Sequence, residues 1–399
     1  MRHMFVSSQA VSPLRTVVAG VVLASALGLS ALPPASAASQ GAAERISTAA
    51  NGAQLAAASH DGTVSADGHY ASYETQGPGE GCPATFSTCL FVKDLRTGRL
   101  VEIPGTGVYA GNATISADGR RVAFDTGNRF LKPYVYDRKT AQTQPLWPQG
   151  LPPGPGFELG NVAAISANGN QVAYTIGNRN GNYSSPYLYV RDLVTGTDDL
   201  VTPLQPEGNV TGARLSADGR FVAYGVHSGD QTVLYVKDRA TGAVRRFDTA
   251  PDGTPANDYS EIVRLSNDGR RVLFNSWATN LLPGGPVQPE EQAYIADLHT
   301  GRIQRVGDSG ALALAADDGC RFVLLKQYGA EPSEQQGDVV LLDVRTGRKQ
   351  RLAPAAASAT ALPGAVARHG REVVFTSAAA DLVPGDTNGV SDVFVLHLK

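Results

Sequence analysis

Cysteine, tryptophan and methionine are scarce in this chain of 399 residues, with three, two and two copies. With three cysteines, disulfide chemistry is restricted to one local bridge. An excess of basic residues is also missing: formal charge is −3, and about −5 once Arg2 and Arg15 are lost with a leader, which excludes the basic patch that nucleic-acid binding demands. Beyond the N-terminus no segment approaches the roughly 18 apolar residues that span a bilayer. The chain carries no GxSxG nucleophile elbow, no HExxH zinc helix and no P-loop, and no hydrolase domain follows its repeats. What it has in plenty is glycine, 44 copies, with 24 prolines, the composition of a fold with many turns.

The first 37 residues read as a secretion signal. Arg2 and Arg15 flank the start, Thr16 to Leu32 is small and apolar, and Ala35-Ser36-Ala37 is a cleavage box. The expected mature chain, residues 38–399, is exported.

One phrase recurs seven times in it: SADGHYASY from Ser65, SADGRRVAF from Ser116, SANGNQVAY from Ser166, SADGRFVAY from Ser216, SNDGRRVLF from Ser266, ADDGCRFVLL from Ala316 and ARHGREVVF from Ala367. Its glycines, Gly68, Gly119, Gly169, Gly219, Gly269, Gly319 and Gly370, stand 50 or 51 residues apart, which means a repeat architecture. Asp-Gly between apolar runs predicts a two-residue type I′ hairpin, because that turn needs positive φ at both centres. A second phrase follows, as in LYVRDLVTG ending at Gly196 and LYVKDRATG ending at Gly242, and predicts a third strand, an Asp-capped turn and a short fourth strand. Four antiparallel strands per unit of about 52 residues, seven times over, specify a seven-bladed β-propeller of the all-β class. The last unit ends on its third strand, DVFVLHLK, so the segment around Arg45 to Thr48 is expected to complete that blade and close the ring.

The pairing of SxDGRxVAF with VYVRDLxTG resembles the TolB-type, WD-repeat-like propellers, and the closing run from Ala380 to Val395 is similar to a signature of their secreted bacterial members. The resemblance covers essentially the whole mature chain. It implies fold and not function, since propellers host binding platforms, lyases, peptidase gates and lectins alike. Asn168 and His369 depart from the pattern at the turn Asp, and Cys320 stands where the Arg after the turn glycine is expected.

In such a blade the tight turns share one face and the long, individual loops share the other, and variable loops on a rigid frame are where binding lives. The long loops are Glu74 to Cys89, Pro145 to Asn161 with Trp147, Thr175 to Pro186 with Arg179 and Tyr183, and Asn275 to Gln292 with Trp277. Trp147, Arg179, Tyr183 and Trp277 are therefore the candidate ligand-binding residues. Cys82 and Cys89, seven apart in one loop, are expected to form a disulfide in an oxidising compartment, and Cys320 to be a buried inert thiol. The six histidines that follow the leader, among them His60 and His227, are scattered over the blades and give no catalytic pattern. The recurring Arg120, Arg220 and Arg270 read as blade-to-blade partners of strand-end Asp137, Asp238 and Asp297. Asp381, Asp386, Asn388 and Asp392 resemble part of a calcium loop but lack the bidentate Glu of an EF-hand, so calcium is the one cofactor the sequence suggests.

Taken together, the residues predict a monomeric, secreted, non-catalytic binding scaffold. Its ligand would be an extracellular glycan, a peptide or a cell-envelope protein. The alternative is a metal-assisted polysaccharide lyase or hydrolase with its site at the channel mouth.

Overall fold

In the computed structural model the chain divides into Met1–Ser39 and a compact unit, Gln40–Lys399. The residues described are 43–398, apart from 79–81, 83–86, 105–107, 129, 149–156, 179–183, 204–207, 230, 286–289, 328–337 and 354–358. The expected leader and the candidates Arg179 and Tyr183 lie outside them. Among the described residues no helix is long and apolar enough to cross a membrane.

Six antiparallel sheets of four strands follow one another in chain order. Blade one pairs Ser59–Val64, Tyr70–Gln76, Thr88–Asp94 and Leu100–Glu102, from the inner edge outward. Blade seven is built from Glu372–Ser377, Asp392–His397 and, on its outer edge, Ala43–Arg45 from the other end of the chain. Its inner edge is less regular, with Thr360 and Val366 bridging Thr376 and Val373. The ring is thus a seven-bladed propeller closed by its N-terminal strand, as the truncated last repeat implied.

Each blade packs through the residues that its two phrases place opposite each other. Six blades set two aromatic rings side by side across the second and third strands: Tyr73–Phe91, Phe124–Tyr134, Tyr174–Tyr189, Tyr224–Tyr235, Phe274–Tyr294 and Phe375–Phe394, with centroids 5.6 to 6.0 Å apart. Such pairs contribute about 0.5–1.5 kcal/mol each beyond area burial. Blade six puts Leu325 opposite Val340 instead.

The hairpins differ from the expected type I′. In blade one the Ser65 amide donates to Tyr70 O, and Gly68 N–H returns to Ser65 O. Of the turn residues in blades one to five only the glycine has positive φ, so four residues connect the strands and Asp67 never enters the left-handed region. The Asp works through its side chain: Asp67 Oδ1 accepts from Ser65 Oγ and from His69 N–H, and Ser65 Oγ accepts from Tyr70 N–H. The same three bonds recur around Ser116, Ser166, Ser216 and Ser266. Glycine is required both by φ and by space, because a Cβ on Gly119 would lie 2.2 Å from the Tyr70 ring of the preceding blade.

Blade six is out of step with the sequence reading by one residue. Cys320, at φ 51°, occupies the turn glycine's own position, and Asp317 takes the serine's place, its Oδ1 accepting from Arg321 and Phe322 N–H. Asp-Asp-Gly offered two registers, and strand pairing of Phe322 with Asp343 selects the later one. The Arg that follows the turn position is therefore present, as Arg321. Cys320 is a buried thiol pushed up to about 12 by burial.

The arginine pairs also need correction. Arg120–Asp137, Arg220–Asp238 and Arg321–Asp343, each 2.7 Å, join the hairpin to the third strand of the same blade, not one blade to the next. Asp297 caps its own turn by accepting from His299 and Thr300 N–H. Main chain joins the blades at the hairpins, with Asp67 N–H to Ala117 O, Ala117 to Ala167, Asn168 to Ala217, Ala217 to Asn267, Asn267 to Asp318 and Arg368 to Ala66, at 2.8 to 3.2 Å, and other arginines, Arg121 to Gly169 O and Arg239 to Asp199, cross between blades. Arg368 Nε bonded to Asp318 at 2.8 Å links blades six and seven.

Closure is reinforced by charge. Arg45 faces Asp386 at 3.2 Å and Asp392 at 3.1 Å, Ser47 Oγ donates to Asp392 at 2.8 Å, and Ile46 N–H donates to Val393 O. Cys82 and Cys89 form a disulfide with Cα atoms 5.7 Å apart. Deleting residues through Ala49 exposes a strand edge and leaves buried Asp392 without its cation, whereas deleting through Ala38 does neither. The first truncation is expected to melt roughly 5–10 °C below the second; coincident melting curves would show that the N-terminal strand does not close the ring.

Candidate functional site

The inner strands enclose a central cavity of about 500 Å³. Its lining includes Asn112, Asn161, Thr175, Thr211, Arg214, Glu261 and Arg264. Each position follows from the repeat. At the position just after the aromatic of the second strand the seven blades carry Glu74, Asp125, Thr175, Gly225, Asn275, Lys326 and Thr376, of which Thr175 lines the cavity.

In blade five this residue tethers the next blade: Asn275 accepts from Ala313 N–H and donates to Ala313 O. Asp125 does the same in blade two, accepting from Val162 N–H at 2.6 Å, from Asn161 Nδ2 at 3.0 Å and from Asn112 Nδ2 at 2.7 Å. A neutral amide suffices for that task, so the acids of blades one and two bring charge that tethering does not need. Burial pushes the Asp125 carboxyl up to about 7 despite those three donors.

Glu74 is the more extreme. It is 1% exposed, and its Oε1 has no hydrogen-bond partner. Burial, reinforced by the charges of Asp61 and Asp125, pushes it up to about 9. Across the hairpin lies His60, whose Nδ1 is 3.8 Å from Glu74 Oε2 and 2.9 Å from Asp61 Oδ2. A register shift between His60 and Thr63, with Asp61 at φ 54°, re-aims these side chains. The three groups present ligand atoms all within 4.8 Å of one another.

Three residues nearer the hairpin end stand two arginines, at the same repeat position in blades four and five. Arg214 donates to Val263 O (2.8 Å), Ala213 O (2.8 Å) and Ala163 O (3.3 Å). Burial and the neighbouring Arg264 push it down to about 10. Arg264 Nε is buried without a partner. Among the described residues neither arginine forms a salt bridge. The acids of blades one and two are thus buried beside the inner strands, while the cavity lining itself carries Arg214 and Arg264 in blades four and five.

The residues singled out from the sequence are dispersed. Trp277, 39% exposed, follows the second strand of blade five. Trp147 is half-buried, with Lys132 Nζ 5.6 Å from its ring and Arg191 donating to its carbonyl. His227 stands apart from His60, its Nδ1 3.1 Å from the Thr232 hydroxyl and its ring edge-on to Tyr259. Asp386 and Asp392 converge on Arg45 and Gln54, Asn388 donates to Asp392 and to Leu55 O, and Asp381 is exposed. The acidic residue after the aromatic in blades one and two was the available signal for the channel site, and single-motif reading passed over it.

No family model matches the chain, and no curated protein sequence does. Among solved structures, an oligogalacturonate lyase in complex with manganese superposes with a TM-score of 0.61 at 14% identity, over 91% of this chain and 94% of that one. An oligogalacturonate lyase from Vibrio parahaemolyticus gives 0.61 at 15%, over 90% and 93%. TolB from Acinetobacter baumannii gives 0.43 at 16%, over 82% and 77%. The lyase superpositions show a shared propeller fold and nothing finer, and the last carries no argument.

Glu74 and Asp125 both hold protons more tightly folded than unfolded. Their contribution is complete below about pH 4 and is lost as pH rises through about 7 for Asp125 and about 9 for Glu74. In chelator, stability is expected to fall from pH 5 to pH 9, with Glu74→Gln flattening the upper part of the decline. A variant profile parallel to wild type in urea titrations would show that Glu74 is hydrated and charged.

Proposed function

We propose that the protein is an exported binding scaffold, without catalysis, that takes its ligand at the long-loop face and the channel mouth. The observation that carries this reading is the pair Arg214 and Arg264. Two cations line one cavity, which also holds Glu261 and Asp318, without a salt bridge among the described residues, and Arg264 Nε, buried without a hydrogen-bond partner, favours an incoming anion. The cavity reaches the hairpin residues Ala117, Ala167 and Asn267, whose main chains are bonded from blade to blade, and entry of ligand is assigned to the long-loop end. An acidic extracellular glycan, an acidic peptide or an acidic segment of a cell-envelope protein fits this cavity. Export is supported by the leader-like N-terminus and by the Cys82–Cys89 bridge, and kinship with the TolB-type propellers by the repeat phrases.

Titrating the mature protein with acidic and neutral oligosaccharides and peptides tests the reading. Binding of the acidic ligands is expected to weaken at least about tenfold on Arg264→Gln and on Trp277→Ala. Arg120→Ala, on the hairpin face, is expected to change melting alone. The reverse pattern would place the ligand on the hairpin side.

A second reading, a metal-assisted polysaccharide lyase or hydrolase at the channel mouth, draws on the His60–Asp61–Glu74 group. Release of unsaturated product from an acidic polysaccharide, abolished by chelator, would establish it in place of the scaffold.

For the loop at the ring closure the proposal is calcium, held by Asp381, Asp386, Asn388 and Asp392 in competition with Arg45. Saturation at ten times Kd stabilises by about 1.4 kcal/mol, a shift of a degree or two for a domain this size. Melting in millimolar calcium is expected to exceed melting in chelator by that amount, and identical curves would remove the site.

A further inference from the structure

We infer that His60, Asp61 and Glu74 form a binding site for one first-row divalent metal ion, with three protein ligands and at least one position left open. The inference is independent of whether the protein binds or cleaves its ligand.

Three observations carry it. The donor atoms are already assembled: Nδ1 of His60 lies 2.9 Å from an Asp61 carboxylate oxygen and 3.8 Å from Glu74 Oε2, and all three residues offer ligand atoms within 4.8 Å. Ligand atoms around a metal with bonds of about 2.0–2.2 Å sit roughly 3–3.5 Å apart in a tetrahedron, so a small closure completes the set. Glu74, at 1% exposure, also keeps an oxygen without any hydrogen-bond partner. A buried carboxylate oxygen left unsatisfied costs free energy that coordination would remove. Finally, Asp61, Glu74 and Asp125 crowd together, and among the described residues no lysine or arginine forms a salt bridge with any of them. A divalent ion supplies the missing positive charge.

The donor types select the ion. One imidazole nitrogen with two carboxylates suits Zn²⁺, Mn²⁺ or Fe²⁺, whereas Ca²⁺ and Mg²⁺ prefer an all-oxygen shell. Because affinity at such a site rises toward the end of the first-row series, Zn²⁺ is expected to bind more tightly than Mn²⁺, and Mg²⁺ least. The bulge that turns His60 and Asp61 toward Glu74 would then be the device that builds the site.

The test is calorimetric titration of chelator-treated full-length mature protein with Zn²⁺ and with Mn²⁺, alongside metal analysis of the protein as purified. One equivalent is expected per chain. Glu74→Gln and His60→Ala are each expected to weaken binding at least about tenfold. His60 is 30% exposed, so its replacement decides the matter even where the buried Glu74→Gln chain fails to fold. Asp386→Asn, on the ring-closing loop, is expected to bind as wild type. No binding by wild type, unchanged affinity in His60→Ala, or a loss confined to Asp386→Asn would each overturn the assignment.

Discussion

At the hairpin end of the channel, blade is hydrogen-bonded to blade by main chain from Ala66–Asp67 through Ala117, Ala167–Asn168, Ala217 and Asn267 to Asp318, and again from Arg368 to Ala66, with the Arg368–Asp318 ion pair completing the ring between blades six and seven. Main-chain groups have fixed reach, so this belt tolerates little variation in where each turn sits. The repeat period of 50 or 51 residues expresses that constraint. The Ser and Asp of the phrase serve it too. By saturating the turn's own amides, they fix the loop shape and leave the outward-facing N–H and C=O groups for the neighbouring blade.

The position after the second-strand aromatic illustrates how a repeat acquires function. Its minimal duty is to hold the adjacent inner strand, which Asn275 performs without charge. Acids at Glu74 and Asp125 keep that geometry but must be buried, and burial raises their proton affinity. Groups so displaced are costly in a purely structural role, which is why perturbed titration marks candidate sites. The arginines of blades four and five are the counterpart: the same inner-strand position carries Thr63, Thr114 and Ala164 in the first three blades and Arg214 and Arg264 in the next two.

Ring closure joins the ends of the chain by the same economy of parts. Arg45 lies on the strand that completes blade seven, and of the carboxylates it faces Asp386 comes from the loop leading into that blade's third strand and Asp392 is the first residue of that strand. Strand pairing and ion pairing reinforce one another here. The acidic closing run of the sequence therefore has an assignment at the seam of the propeller.

Much of the fold was legible in the sequence because its signals are local and repeated. Strand-turn-strand phrases, their spacing and the incomplete last unit determine seven blades of four strands and closure by the N-terminal strand. Asp-Gly misled on turn type, since the same dipeptide serves a four-residue connection, and Asp317-Asp318-Gly319 hid the register of blade six, which only cross-strand pairing resolves. The candidate site was illegible for a different reason. Its groups lie on opposite strands of a hairpin, His60 against Glu74, or in consecutive blades, Asp125 beside Glu74 and Arg214 beside Arg264, so sequence separation says nothing of their distance. A repeat determines by itself which positions face the channel; which of those side chains lose water, meet a partner or are left without one is decided only when the ring closes and the blades pack.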